Sequence, residues 1–119
     1  MNVKFGHDGL RCRITNAELE RLLSGRAVML EVPLPRGHAF RANINLTSGA
    51  EWQFESDPTG IWISIPKSEV RVLADSLPSK EGIRKEFETA HGNVAVVFEV
   101  DVRDQKHPHP NPLPSRERE

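Results

Sequence analysis

The sequence predicts an α+β domain built from two tandem strand-strand-helix-strand-strand units. Three observations carry that prediction: a gapless internal repeat, a switch from strand to helix periodicity at the same point of each copy, and turn residues around each strand pair. Residues 9–23, GLRCRITNAELERLL, lie over residues 60–74, GIWISIPKSEVRVLA, at an offset of 51. In the strand half, Leu10, Cys12 and Ile14 fall on Ile61, Ile63 and Ile65, so the apolar side chains share one face. In the helical half, Leu19, Leu22 and Leu23 fall on Val70, Leu73 and Ala74, and Leu77 extends the second set to i, i+3, i+4, i+7 spacing.

Local chemistry agrees with this register. Thr15 followed by Glu18 has the form of a capping box, and Pro66 suits the first turn of the second helix. A short strand precedes each copy, NVKF at 2–5 and WQFE at 52–55, joined to it through GHDG and SDPTG. A strand pair follows each helix: 27–34 with 38–46 around Pro35, Arg36 and Gly37, and 82–89 with 93–102 around His91 and Gly92. Phe40, Ala42, Ile44 and Leu46 alternate inward, as do Val94, Val96, Phe98, Val100 and Val102. The sum is eight strands and two short helices in a single domain over 1–103, with copies at 1–50 and 52–102. A unit of about 50 residues is marginal alone, so the copies are expected to bury their apolar faces together about a pseudo-two-fold axis. Closure into a mostly antiparallel β-barrel or sandwich would remove the free edges.

Residues 104–119 change character, with prolines at 108, 110, 112 and 114 and no apolar periodicity, and are expected to be a disordered Pro-rich tail. The string HPHPNPLPSRER is similar to the translated product of a dispersed bacterial intergenic repeat, which implies read-through.

Composition narrows the partner classes. Sixteen basic against 17 acidic residues in 119 give no net charge that selects nucleic acid. A lone cysteine, Cys12, makes no internal disulfide, and no stretch approaches the roughly 20 apolar residues that span a bilayer, so a cytoplasmic protein without membrane contact is expected.

The LRCRIT-x-AELE and WISIPKSEV stretches resemble those of small bacterial proteins in a domain-of-unknown-function family with duplicated ββαββ units. That resemblance spans most of residues 1–102 and implies no activity. Ile65-Pro66-Lys67 followed by Glu69-Val70-Arg71 is similar to the strand-to-helix step of swapped-hairpin (AbrB-like) transcription regulators, which implies a DNA-binding role. Ser76-Leu77-Pro78-Ser79 stands where such regulators place a Gly-Asp turn.

Candidate binding residues follow from the outward register. Arg11 and Arg13 point away from the core on one strand, and Arg41, Asn43 and Asn45 do so on another, so a basic, amide-bearing face is expected if the strands share a surface. Residues 1–50 hold seven basic and four acidic residues and residues 52–102 five and nine, a contrast that suits self-association. Trp62 takes the outward register, where it would anchor a partner if exposed; cover by a helix or the tail is the commoner fate of tryptophan. His7, His38, His91, His107 and His109 offer no ligand spacing, so no metal or cofactor is expected. Cys12 belongs to the inward set and reads as an inert buried thiol.

No nucleophile elbow, phosphate-cradling glycine loop or His-Glu-x-x-His is present. The first expectation is therefore a non-catalytic binding or assembly module, not an enzyme, with a homo-oligomer or a protein as partner. The alternatives are a nucleic-acid-binding regulator using the Arg11, Arg13 and Arg41 face, and a small enzyme with a cleft where His7, Asp8 and Arg11 converge.

Overall fold

The computed structural model of the chain describes residues 1–78 and 81–101. The expectations for Val102, His107, His109 and the Pro-rich tail lie outside the described residues. The element order is β1 (Asn2–Gly6), β2 (Gly9–Ile14), α1 (Asn16–Leu23), β3 (Val28–Pro33), β4 (Ala39–Thr47), β5 (Gln53–Asp57), β6 (Gly60–Pro66), α2 (Lys67–Asp75), β7 (Ile83–Thr89) and β8 (Gly92–Val100). This is an α+β architecture of two helices and two four-stranded mixed sheets, ordered β1-β2-β8-β7 and β3-β4-β6-β5.

Each helix starts where the strand alternation stops. At α1 the capping box forms in full: the Glu18 N–H donates to Thr15 Oγ1 at 3.1 Å, and the Thr15 N–H donates to Glu18 Oε1 at 2.9 Å. Pro66 sits one residue earlier than expected, as the last residue of β6 and the N-cap of α2. Leu19 and Leu22 of α1 and Val70 and Leu73 of α2 are buried. Leu10, Cys12, Ile14, Ile44, Ile61, Ile63, Ile65, Val96, Phe98 and Val100 join them in one apolar cluster drawing on both sheets and both helices. Burying each such side chain contributes about 1.5–3 kcal/mol.

The hairpins combine across the chain. In each sheet one hairpin comes from the first half of the sequence and one from the second, and they meet through parallel strands. Gly9 to Ile14 run beside Ala95 to Val100, and Arg41 to Thr47 beside Gly60 to Pro66. The pairs within hairpins are antiparallel. No closed barrel forms among the described residues: β1 and β7 end one sheet, β3 and β5 the other. Where the two sheets approach, aromatic rings stand in place of main-chain pairing. Phe5 and Phe40 meet edge-on at 6.4 Å, and Phe54 and Phe87 at 5.4 Å.

Candidate binding surface

On the outer face of the β1-β2-β8-β7 sheet, register aligns side chains into rows. Lys4, Arg11, Val97 and Arg84 form one row, and Gly6, Gly9, Ala95 and Glu86 the next. The second row has almost no side-chain bulk over its first three strands, while the first carries long cations. The outcome is an open hollow of about 200 Å³ lined by Lys4, Arg11, Arg84, Asp8, Val97 and the small residues beneath them. The narrow floor is enforced by packing, because a Cβ on Gly9 would overlap the main chain of Ala95.

Beside the hollow lies Glu99, a carboxylate only 6% exposed. Arg11 donates from Nη1 to Glu99 Oε1 at 2.6 Å, and Arg13 donates from Nε to Oε2 at 2.7 Å. The basic first half and the acidic second half thus meet inside this sheet, where charge-assisted hydrogen bonds offset the cost of burying Glu99. Arg84 Nη2 donates to Glu86 at 2.9 Å, whereas Lys4 makes no ion pair among the described residues.

Arg41, Asn43, Asn45 and Trp62 belong to the other sheet, so Arg41 and the pair Arg11 and Arg13 occupy different sheets. Arg41 donates to Glu31 at 3.3 Å, and Asn45 accepts from the Ser64 hydroxyl at 2.6 Å. Asn43 sits in register between Met29 and Trp62, which are 53% and 38% exposed.

A third feature is apolar. Where β1 faces β3 and β4, a cleft of about 70 Å³ is lined by Val3, Phe5, Leu30, Val32, Phe40 and Ala42. Phe5 is 63% exposed there, and Val32 and Leu34 are exposed as well.

Asp8 and Arg11 line the hollow at the first hairpin, and His7 is not among its lining residues. His7, His38 and His91 are exposed, and no group of metal-ligating side chains occurs among the described residues. Cys12 is buried, and burial pushes its thiol up to about 12 from 9.0, far from nucleophilic at neutral pH. No helix among the described residues is long and apolar enough to cross a membrane.

Lys4, Arg84 and Glu99 were not singled out by the sequence. Their outward register was readable, but their common surface depends on β2 lying beside β8, a pairing that joins residues more than 80 positions apart. No protein-family model, curated protein or solved structure matches the chain.

Proposed function

We propose that the chain is a non-catalytic binding and assembly module that pairs with a second copy of itself through the apolar flank of β1 and β3. The observation that carries this reading is the concentration of exposed apolar side chains at one flank, Phe5, Val32 and Leu34, around an apolar cleft between two free strand edges. The opposite flank is chemically different. Ser56 lies at the sequence position matching Phe5, Phe54 closes against Phe87, and Lys85 takes the inward register of edge strand β7, a charge that discourages edge pairing.

The scaffold behind this reading is a duplicated unit with a pseudo-two-fold. Its support lies in matched contacts 51 residues apart on one side. The Ala95 N–H donates to the Asp8 carbonyl at 2.7 Å and the Arg41 N–H to the Thr59 carbonyl at 3.0 Å. Gly9 packs on Ala95, and Gly60 packs on Arg41. A nucleic-acid role draws less support, because Arg41 lies on the other sheet from Arg11 and Arg13 and the three do not share one face.

Light scattering across a concentration series tests the assembly. A dimer mass is expected, reverting to monomer in Phe5→Lys with Val32→Lys, both exposed positions whose substitution leaves the core intact. A monomer mass throughout the series for the unmodified chain overturns the proposal.

A further inference from the structure

The geometry points to the hollow formed by Lys4, Arg11 and Arg84 as a binding site for a small phosphate-type dianion, free or as a phosphomonoester. It lies on the outer face of one sheet and does not rest on self-association through the apolar flank.

Three cations from three strands stand in one cross-strand row over a floor of Gly6, Gly9 and Ala95. Against them the lining sets a single carboxylate, Asp8. Glu99 and Glu86 are also near, but each engages one outer nitrogen, Nη1 of Arg11 and Nη2 of Arg84. A guanidinium carries five N–H donors, so both arginines keep donors for a second oxyanion while their carboxylate partners fix their rotamers. Holding the fork in place before a ligand arrives lowers the ordering cost of binding.

Size selects within the anions. The volume of about 200 Å³ is several times the ~30 Å³ share of one water and below the roughly 300–1,000 Å³ of drug-sized pockets. A phosphate group with a short substituent fits that range. The small side-chain bulk of Gly6, Gly9 and Ala95 lets the anion approach the backbone of the β2 and β8 strands, which lie too close at position 9 to admit a Cβ between them.

Asp8 gives the inference a sharp consequence, since its charge opposes the ligand. Titration of the full chain with inorganic phosphate, followed by amide chemical shifts, should give saturable changes at Gly6, Gly9, Arg11 and Ala95. Lys4→Met with Arg84→Met, both on exposed edge strands, should weaken binding about tenfold or more, as expected for losing two charged contacts. Asp8→Asn should tighten it about fivefold, the order set by one like charge at a solvent-open site. Sulfate should compete and acetate should not. Glycerol phosphate forms the second arm: tighter binding than inorganic phosphate assigns the site to a phosphomonoester, and equal binding assigns it to the free ion. No saturable shift with either phosphate, shifts unchanged in the double variant, or equal competition by acetate overturns the inference. None of these outcomes bears on the dimer mass, so the two proposals fail separately.

Discussion

The indole Nε1 of Trp52 donates a 3.1 Å hydrogen bond to Oε2 of Glu69, tying the residue ahead of β5 to the first turn of α2. The same tie occurs 51 residues earlier, where the amino group of Met1 lies 2.8 Å from Glu18 Oε2 in the first turn of α1. Two chemically unlike donors thus fasten the start of an edge hairpin to a helix N-terminus, where a carboxylate is favoured by the helix dipole. Trp52→Phe keeps most of the buried ring and removes the donor, so a loss of about 1–2 kcal/mol is expected in denaturant unfolding. Glu69→Gln keeps an acceptor and should cost less. Equal stability of all three proteins would show that the hydrogen bond contributes nothing.

Glu18 makes acid stability depend on this arrangement. Burial alone would raise its carboxyl, but hydrogen bonds from the Met1 amino group and from the backbone and hydroxyl of Thr15, with the amino charge, hold it below the ordinary 4.5. A carboxyl whose folded value is depressed stabilises fully above the unfolded value and loses that contribution as pH falls through the folded one. Glu18→Gln retains the capping geometry and removes the titration. The variant should be less stable than the parent near neutrality, with the gap closing below about pH 4.5. A gap of constant size down to acid pH would contradict the linkage.

Glu99 joins two arginines of unequal exposure, Arg11 at 50% and Arg13 at 35%. Removing its charge strands both cations beside a polar group, yet water reaches each of them, so the cost falls below that of a fully buried pair. Glu99→Gln should lose about 1–2 kcal/mol. Arg11→Met should lose less, since Arg13 still satisfies the carboxylate. If Glu99→Gln matches the parent in urea unfolding, the bridge is not stabilising.

Local order was largely legible because each element announces itself within a few residues. The alternation of Leu10, Cys12 and Ile14 gives β2, and Thr15 with Glu18 gives the start of α1, both interactions of short range. The partner of β2 was not legible. Its neighbour β8 is apolar on both faces near Ala95, Val96, Val97 and Phe98, a pattern that marks a central strand without naming the strand beside it. For that reason Arg11 and Arg13 were readable as outward arginines, while the carboxylate that holds them, Glu99, was not. Arg41 illustrates the converse: its outward register was right, but outward on a second sheet places it away from the other two. Trp62 shares its outward row with two polar residues, Asn43 and Glu55, and its register alone was readable in the sequence.

Cys12 should be silent toward thiol reagents in the folded protein. It is 1% exposed, and its thiol is raised to about 12, so at pH 8 both access and thiolate are lacking. Colorimetric thiol titration should therefore detect no group without denaturant and one with it. Rapid native labelling would mean that the β2 strand opens readily, and Cys12 labelling rates would then measure that opening.

Gly9 and Gly60 are the positions where the parallel pairing is most exposed to a single methyl group. Gly9 has φ of 153°, a backbone region that side chains disfavour, and a Cβ there would overlap the carbonyl of Ala95. A Cβ on Gly60 would overlap the carbonyl of Arg41. These obstacles are main-chain atoms inside hydrogen-bonded strands, so no side chain can rotate away to relieve them. Gly9→Ala must either part β2 from β8 or shift the register, and a shift by one residue would turn Leu10, Cys12 and Ile14 out of the core. The expected loss is about 3 kcal/mol or more for each glycine, among the larger single-residue effects. Gly49→Ala is the matched control, because its Cβ would meet only the Thr47 hydroxyl at an ordinary 3.5 Å, and it should fall within about 0.5 kcal/mol of the parent. Urea unfolding of the three variants decides the matter. If Gly9→Ala unfolds with the control, β2 and β8 do not approach as closely as this pairing requires, and the narrow floor beneath Lys4 and Arg11 would be lost with it.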